Sequence, residues 1–211
     1  MKSTAPIDAA VWTVIEDYEE RARREGELRS TLSDEESARR LDEMLLPVGR
    51  ATGSLMNLLI KESGARRILE VGSSYGYSTI WLAEGARAVA GKVISLELRA
   101  GKTQYATTQL ARASLADRVE FKIGDALGSL DGLAGPFDFV LIDLWKDMYV
   151  PVFERLYPKL AAGALIVADN MLEPESARVH AQAYRERVRA AAGMTSVLLA
   201  VGNGIELSRY R

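Results

Sequence analysis

Asp143, Asp169 and Asn170 are the residues of this 211-residue chain whose types and placing point most directly to chemistry. Asp143 closes the apolar run 137–143, and Asp169 and Asn170 follow the apolar run 165–168. If both runs are neighbouring strands, they lie about 4.8 Å apart. Two carboxylates and an amide oxygen then meet at one point. Like charges that close resist joint ionisation unless a cation sits with them. All-oxygen ligation suits a hard divalent ion, Mg²⁺ first, with Ca²⁺ or Mn²⁺ as alternatives. Asp and Asn also stabilise turns after strands, which is the plain structural use of the same pair.

A second group of residues is Glu70-Val-Gly72-Ser73-Ser74-Tyr75-Gly76-Tyr77-Ser78. Residues 68–71 read as a buried strand, and a helix begins near Tyr77. A strand, a glycine-bearing turn and a helix start hold nucleotide-like ligands, because backbone N–H groups and the helix's positive end face them. The glycines are spaced E-x-G-x-x-x-G, not G-x-G-x-x-G as in the dinucleotide fingerprint. Two further strand ends carry acids. Glu97 can accept both hydroxyls of a ribose, and Asp125, in Gly124-Asp125-Ala126, can meet an adenine amino group. One such acid is readily a solubilising strand end; five acid-bearing ends on one rim point to a site.

The elements that must carry these residues alternate. Strands are expected at 68–71, 93–97, 119–123, 137–143, 165–168, 195–201 and 205–209. Helices are expected at 77–85, 99–114, just after Asp125, at 149–160 and at 174–192. Gly163 is read as a break before the fifth strand, and Gly202-Asn203-Gly204 as the turn of a terminal hairpin. Alternating β and α units with Val/Ile/Leu-rich strands give an α/β, Rossmann-like fold: a seven-stranded, mostly parallel sheet covered on both faces, with a C-terminal antiparallel hairpin. Upstream, 5–25 has helical spacing that Gly26 interrupts. Ser33-Asp-Glu-Glu36 is a capping box opening a helix towards Leu46 and Pro47, and a third helix closes at Gly64. Residues 1–64 read as a helical cover on a 65–211 core, all one domain.

Bulk properties exclude several functions. Hydrophobic residues are 48% and charged residues 27% of the chain, with a net charge of −2. That balance suits a soluble globular protein and offers no basic field for nucleic acid. With no cysteine and a single histidine, His180, thiolate chemistry and multi-histidine metal sites fall away. The first residues lack the apolar core of a leader, and no run reaches the roughly 18 apolar residues of a membrane span. A cytoplasmic location is the expectation. His180 and the Arg-rich stretch 185–189 read as surface.

The pattern around Glu70 and Gly72 resembles motif I of S-adenosylmethionine (SAM) dependent methyltransferases, where an acid suits SAM's cationic aminoacyl end. The runs Leu141-Ile-Asp143-Leu-Trp145-Lys146-Asp147-Met-Tyr149 and Ile166-Val-Ala-Asp169-Asn170 resemble the metal-dependent small-molecule O-methyltransferases. That family includes catechol O-methyltransferase and the caffeoyl-CoA O-methyltransferases, and Asp-x-Trp-Lys-Asp-x-Tyr is nearer the catechol type. The resemblance covers residues 45–211. It implies that Asp143, Asp169 and Asn170 ligate the metal and that Lys146 is the general base. It also implies that Glu70, Gly72, Ser78, Glu97 and Ala126 line the SAM site, which the turn residues Ser73, Tyr75 and Gly76 and the strand-end acids Asp125 and Asp143 also border. Thr52 falls where the family contacts the methionine carboxylate. The chain departs from the catechol type at Leu144, where a histidine is usual. For the late acid that holds a second catechol hydroxyl, Glu206 is a candidate.

The chemistry that follows is in-line methyl transfer from a sulfonium to an oxyanion. A catechol-type hydroxyl titrates near the tyrosine value of about 10. A divalent cation on that oxygen favours the ionised form, and Lys146 beside it takes the proton. The expected partner is a small phenolic or catechol-like acceptor, the expected assembly a homodimer, with no nucleic acid and no membrane. Two alternatives share the sheet: an NAD(P)-type oxidoreductase, which would use Glu97, and a SAM-binding protein without catalysis.

Overall fold

The computed structural model describes residues 7–211. The expected start of the first helix at residue 5, and the reading of the very first residues as free of a leader, lie outside the described residues. The apolar runs form β1 (Arg67–Val71), β2 (Lys92–Glu97), β3 (Val119–Ile123), β4 (Phe137–Ile142), β5 (Leu160–Ala168), β6 (Met194–Leu199) and β7 (Ile205–Tyr210). They make one sheet in the order β3-β2-β1-β4-β5-β7-β6. The first five strands run parallel. β7 is antiparallel to both its neighbours, β5 and β6. The expected hairpin is therefore present, but its second strand enters between β5 and β6 and leaves β6 at the edge.

Eight α-helices accompany the sheet among the described residues: α1 (Ala9–Ser30), α2 (Asp34–Arg40), α3 (Gly49–Ser63), α4 (Tyr77–Ala88), α5 (Ala100–Arg112), α6 (Ala126–Asp131), α7 (Tyr149–Leu156) and α8 (Arg178–Ala190). Alternate strand residues feed opposite faces. Ile68, Phe139, Leu141 and Val167 pack with α1, α3, α4 and α5. Leu69, Val71, Val140 and Ile142 pack with α6, α7 and α8. A parallel sheet buried on both sides has to read as near-continuous apolar runs, and these do. No helix is long and apolar enough to cross a membrane among the described residues.

Several boundaries differ from the sequence expectation. α1 runs through Gly26 to Ser30. A helical glycine costs about 1 kcal/mol relative to alanine. Here the Arg21–Glu25 and Arg23–Glu27 pairs span the turn, and Glu25 also accepts from the Leu45 amide. α2 does form the capping box, with Ser33 and Glu36 bonding reciprocally, but it stops at Arg40 and a 3₁₀ turn takes Leu41–Glu43. Gly163 lies inside β5, at φ +86°, where the pairing with β4 shifts register. α7 ends at Leu156, and Leu160 already belongs to β5. The Arg-rich stretch is not all surface. His180 is exposed, whereas Arg189 and Arg185 reach the fully buried Glu206.

Candidate functional site

Strand register builds the rim. Val71 of β1 pairs with Ile142 of β4, and Ile142 pairs with Ala168 of β5. The next residues, Gly72, Asp143 and Asp169, therefore emerge side by side. The ladder continues one step further: the Asp143 amide donates to the Val71 carbonyl at 3.0 Å, and the Asp169 amide to the Ile142 carbonyl at 3.1 Å. Gly72 is required here. Its φ is +92°, and a Cβ would lie 2.1 Å from the Asp143 carbonyl oxygen.

Asp143 is half-buried and Asp169 is 1% exposed. Burial raises both carboxyls above their usual range, and the Asp143 charge raises Asp169 further, against the lowering influence of Lys146 on each. Asp169 Oδ1 is buried without a hydrogen-bond partner. Asn170 takes a left-handed φ of +56°, which asparagine tolerates better than most residues. Among the described residues no three His, Cys, Asp or Glu side chains gather as a metal cluster. The candidate set is thus two carboxylates and one amide. An orphaned carboxylate oxygen next to a second carboxylate fits a hard cation in chemical terms.

Lys146 projects into the same corner. Its Nζ donates to Asp143 Oδ1 at 3.2 Å, to the Leu144 carbonyl at 2.9 Å and to the Tyr149 hydroxyl at 2.6 Å. Trp145 beside it is 59% exposed. A flat apolar face left open at a polar rim suits a planar apolar group.

On the other side of Gly72 the turn is organised differently from the sequence expectation. Four of its amides are engaged, within the turn and with Leu96 and Glu97 of β2. Those of Gly72 and Ser73 donate to the Leu96 carbonyl, that of Ser74 to Glu97 Oε2 at 2.8 Å, and that of Gly76 to the Ser73 carbonyl. A pyrophosphate site needs such amides free, so their engagement counts against the dinucleotide alternative. Glu97 closes β2 and also accepts from the Arg99 amide at 2.9 Å. Glu70 does not reach the rim. Its carboxylate lies under α4 and accepts from Ser78, Thr79 and Ser95 at 2.6, 2.6 and 2.7 Å. Burial pushes its pKa up to about 7 despite those three hydroxyls. Ser78 is likewise spent on Glu70. Thr52 and Ser73 are buried, and the hydroxyl of each is without a partner. Orphaned hydroxyls in buried positions fit a ligand that brings its own polar groups.

Asp125 is exposed and caps α6, accepting from the Gly128 amide at 2.9 Å, with Ala126 opening the helix. Tyr75 is held from both ends: its carbonyl accepts from the Tyr18 hydroxyl at 2.5 Å, and its own hydroxyl donates to the Glu43 carbonyl at 3.0 Å. Gly76, at φ +92°, allows the close passage of Ala106. Glu206 is not at the rim. It accepts from Arg189 at 2.8 and 3.1 Å and from Ser196, facing α8 and β6, so it holds no acceptor hydroxyl. Two residues that sequence reasoning missed are Tyr149, which stood in the quoted motif without a role, and Tyr18, which reads as ordinary helix core.

Comparison with known proteins gives a consistent set. The family model described as O-methyltransferase matches residues 19–211. Catechol O-methyltransferase of Mycobacterium tuberculosis is 41% identical over 128 residues, 60% of this chain and 58% of that protein. Caffeoyl-CoA O-methyltransferase 1 of Eucalyptus globulus is 31% identical over 181 residues, 74% of this chain and 72% of that protein. The crystal structure of the O-methyltransferase from Bacillus cereus, in complex with SAH, superposes with a TM-score of 0.75 at 27% identity, covering 99% of this chain and 93% of that one. The match thus spans less than two thirds of the length of the mycobacterial relative.

Proposed function

The chain belongs to the O-methyltransferase family, and from that premise we propose that it transfers a methyl group from SAM to the hydroxyl of a small catechol-like or other phenolic acceptor, with a divalent cation, Mg²⁺ first. The observation that carries this reading is the register-fixed meeting of Asp143, Asp169 and Lys146, with one Asp169 oxygen orphaned. The SAH complex of the Bacillus cereus relative and the names of the catechol and caffeoyl-CoA relatives support it. A cytoplasmic homodimer belongs to the same proposal.

In this reading Asp143, Asp169 and Asn170 hold the cation. When bound, the cation would stabilise the ionised acceptor oxygen and SAM would supply a methyl on a sulfonium. The residues do the rest. Lys146, once it has given up a proton to solvent, keeps two N–H donors and a lone pair in place of one of its three present contacts, and that lone pair accepts the acceptor's hydroxyl proton. The 3.2 Å contact with Asp143 is the longest of the three. Trp145 offers a wall to the acceptor ring. Thr52 and Ser73 give their unpartnered hydroxyls to the amino-acid end of SAM, and Glu97 gives its remaining lone pairs to the ribose. Glu70 acts at one remove, fixing Ser78 and Thr79 at the start of α4. The rigid strand ends keep donor, acceptor and base in line.

The test is methyl transfer from labelled SAM to catechol and caffeoyl acceptors, with Mg²⁺ or with EDTA, for the native protein and Lys146→Ala. We expect turnover that EDTA abolishes and a drop of about 10²–10⁴ in the variant, the usual range for a general base. SAH affinity by calorimetry should stay within twofold. Turnover indifferent to EDTA would return Asp143, Asp169 and Asn170 to a turn-forming role.

A further inference from the structure

Tyr149 is fully buried at the first position of α7, and nothing in the reaction just described uses it. Its ring is fixed by packing: it meets Tyr184 edge-on at 5.6 Å, and the Lys146 ammonium lies 4.6 Å from its centroid. Its hydroxyl is placed between two groups of the site. Lys146 Nζ stands 2.6 Å away, and the Asp169 carbonyl oxygen 3.2 Å away. A carbonyl can only accept, so the phenol gives its proton to Asp169 and accepts from Lys146, which has an N–H to donate as ammonium or as amine. The direction of the chain is therefore set: Lys146 donates to Tyr149, and Tyr149 donates to Asp169.

We propose that Tyr149 is the positioning residue of this site, tying Lys146 to the strand end that carries Asp169 so that the base and the carboxylate pair keep one relative geometry. The inference rests on Lys146 being the base. A lysine side chain is long and loses considerable rotamer freedom when ordered. Asp143 and the Leu144 carbonyl belong to the segment just before Lys146, so they restrain it only against its own turn. Among the described residues, Tyr149 is the one that links it by hydrogen bonds to the end of β5. The 3₁₀ turn Lys146–Met148 makes this possible, because it brings residues 146 and 149 to one side.

The experiment uses the full chain with SAM, Mg²⁺ and catechol, comparing native protein, Tyr149→Phe, Lys146→Ala and the double variant. Phenylalanine keeps the ring and its packing and removes only the hydroxyl. We expect kcat to fall about tenfold, as for loss of one hydrogen bond to a charged group, with the acceptor KM and the SAH Kd nearly unchanged and Tm lower by only about 2–4 °C. In the Lys146→Ala background the second substitution should add no further loss, because it acts through the lysine. An undiminished kcat in Tyr149→Phe overturns the proposal. So does the same fractional loss with and without Lys146, or a parallel loss of SAH affinity and Tm, since either marks a merely structural hydroxyl. If Lys146→Ala itself keeps native turnover, the base reading fails and takes the proposal with it, an outcome visible in that variant alone.

Discussion

At the scale of single residues, Glu70 carries a pH signature. Its folded pKa is raised from 4.5 to about 7 by burial. The folded protein thus keeps a proton that the unfolded chain gives up between those values. The stability Glu70 contributes is full below pH 4.5 and is lost as pH rises to about 7, roughly 3 kcal/mol over the window. Glu70→Gln should abolish this slope. Urea unfolding at a series of pH values checks it: native protein should weaken relative to the variant between pH 4.5 and 7.5, and parallel curves would show the carboxyl ionised throughout. Strand-end position, which follows from the apolar runs, brought Asp143 and Asp169 into view, and the family resemblance brought Lys146. Neither could show where Glu70 points. Its hydroxyl partners come from α4 and β2, and only packing brings Ser78, Thr79 and Ser95 together. Glu206 misled for the same reason: a late acid near a strand start looks available until β7 turns it towards Arg189.

At the scale of elements, α1 does more than cover. Val11, Val14, Ile15 and Tyr18 are buried in the same core as α4. Trp12 meets Trp81 edge-on at 5.6 Å, and Arg21 stacks 4.0 Å over Tyr75. The turn that follows β1 is therefore backed by a helix some sixty positions upstream. Tyr18→Phe leaves the half-buried carbonyl of Tyr75 without this donor, about 1 kcal/mol of lost support. We expect SAH affinity to fall roughly three- to tenfold by calorimetry, with a Tm drop of only about 2–4 °C. Unchanged affinity would make α1 a cover and nothing more. Helical spacing announced α1 itself. Its bonding to the turn was not legible, because a tyrosine on the apolar stripe of a helix looks the same whether or not its hydroxyl finds a distant carbonyl.

At the scale of the whole molecule, alternation of apolar runs and helical stretches was enough to give an α/β sheet. Strand order was not, since a terminal hairpin can pair with the sheet through either strand. The order adopted has a consequence for the reaction rim. Once β7 sits between β5 and β6, the turn joining β6 to β7 folds back over the site. The Met171 amide bonds to the Gly204 carbonyl, and those of Leu172 and Glu173 to the Asn203 carbonyl. Gly202 passes so close to Thr52 that a Cβ would lie 2.6 Å from its hydroxyl oxygen. The segment leaving Asn170 and the helix bearing Thr52 are thus both fastened by residues that are synthesised after them. During synthesis the nascent chain displays Glu97, Asp143, Lys146 and Asp169 well before it can fix them. A tethered chain halted with residues 194–211 still in the exit tunnel should fail to retain SAH, and one extended by a linker that frees them should retain it. The capacity to hold the cofactor would then be acquired in a single step, when β7 joins the sheet.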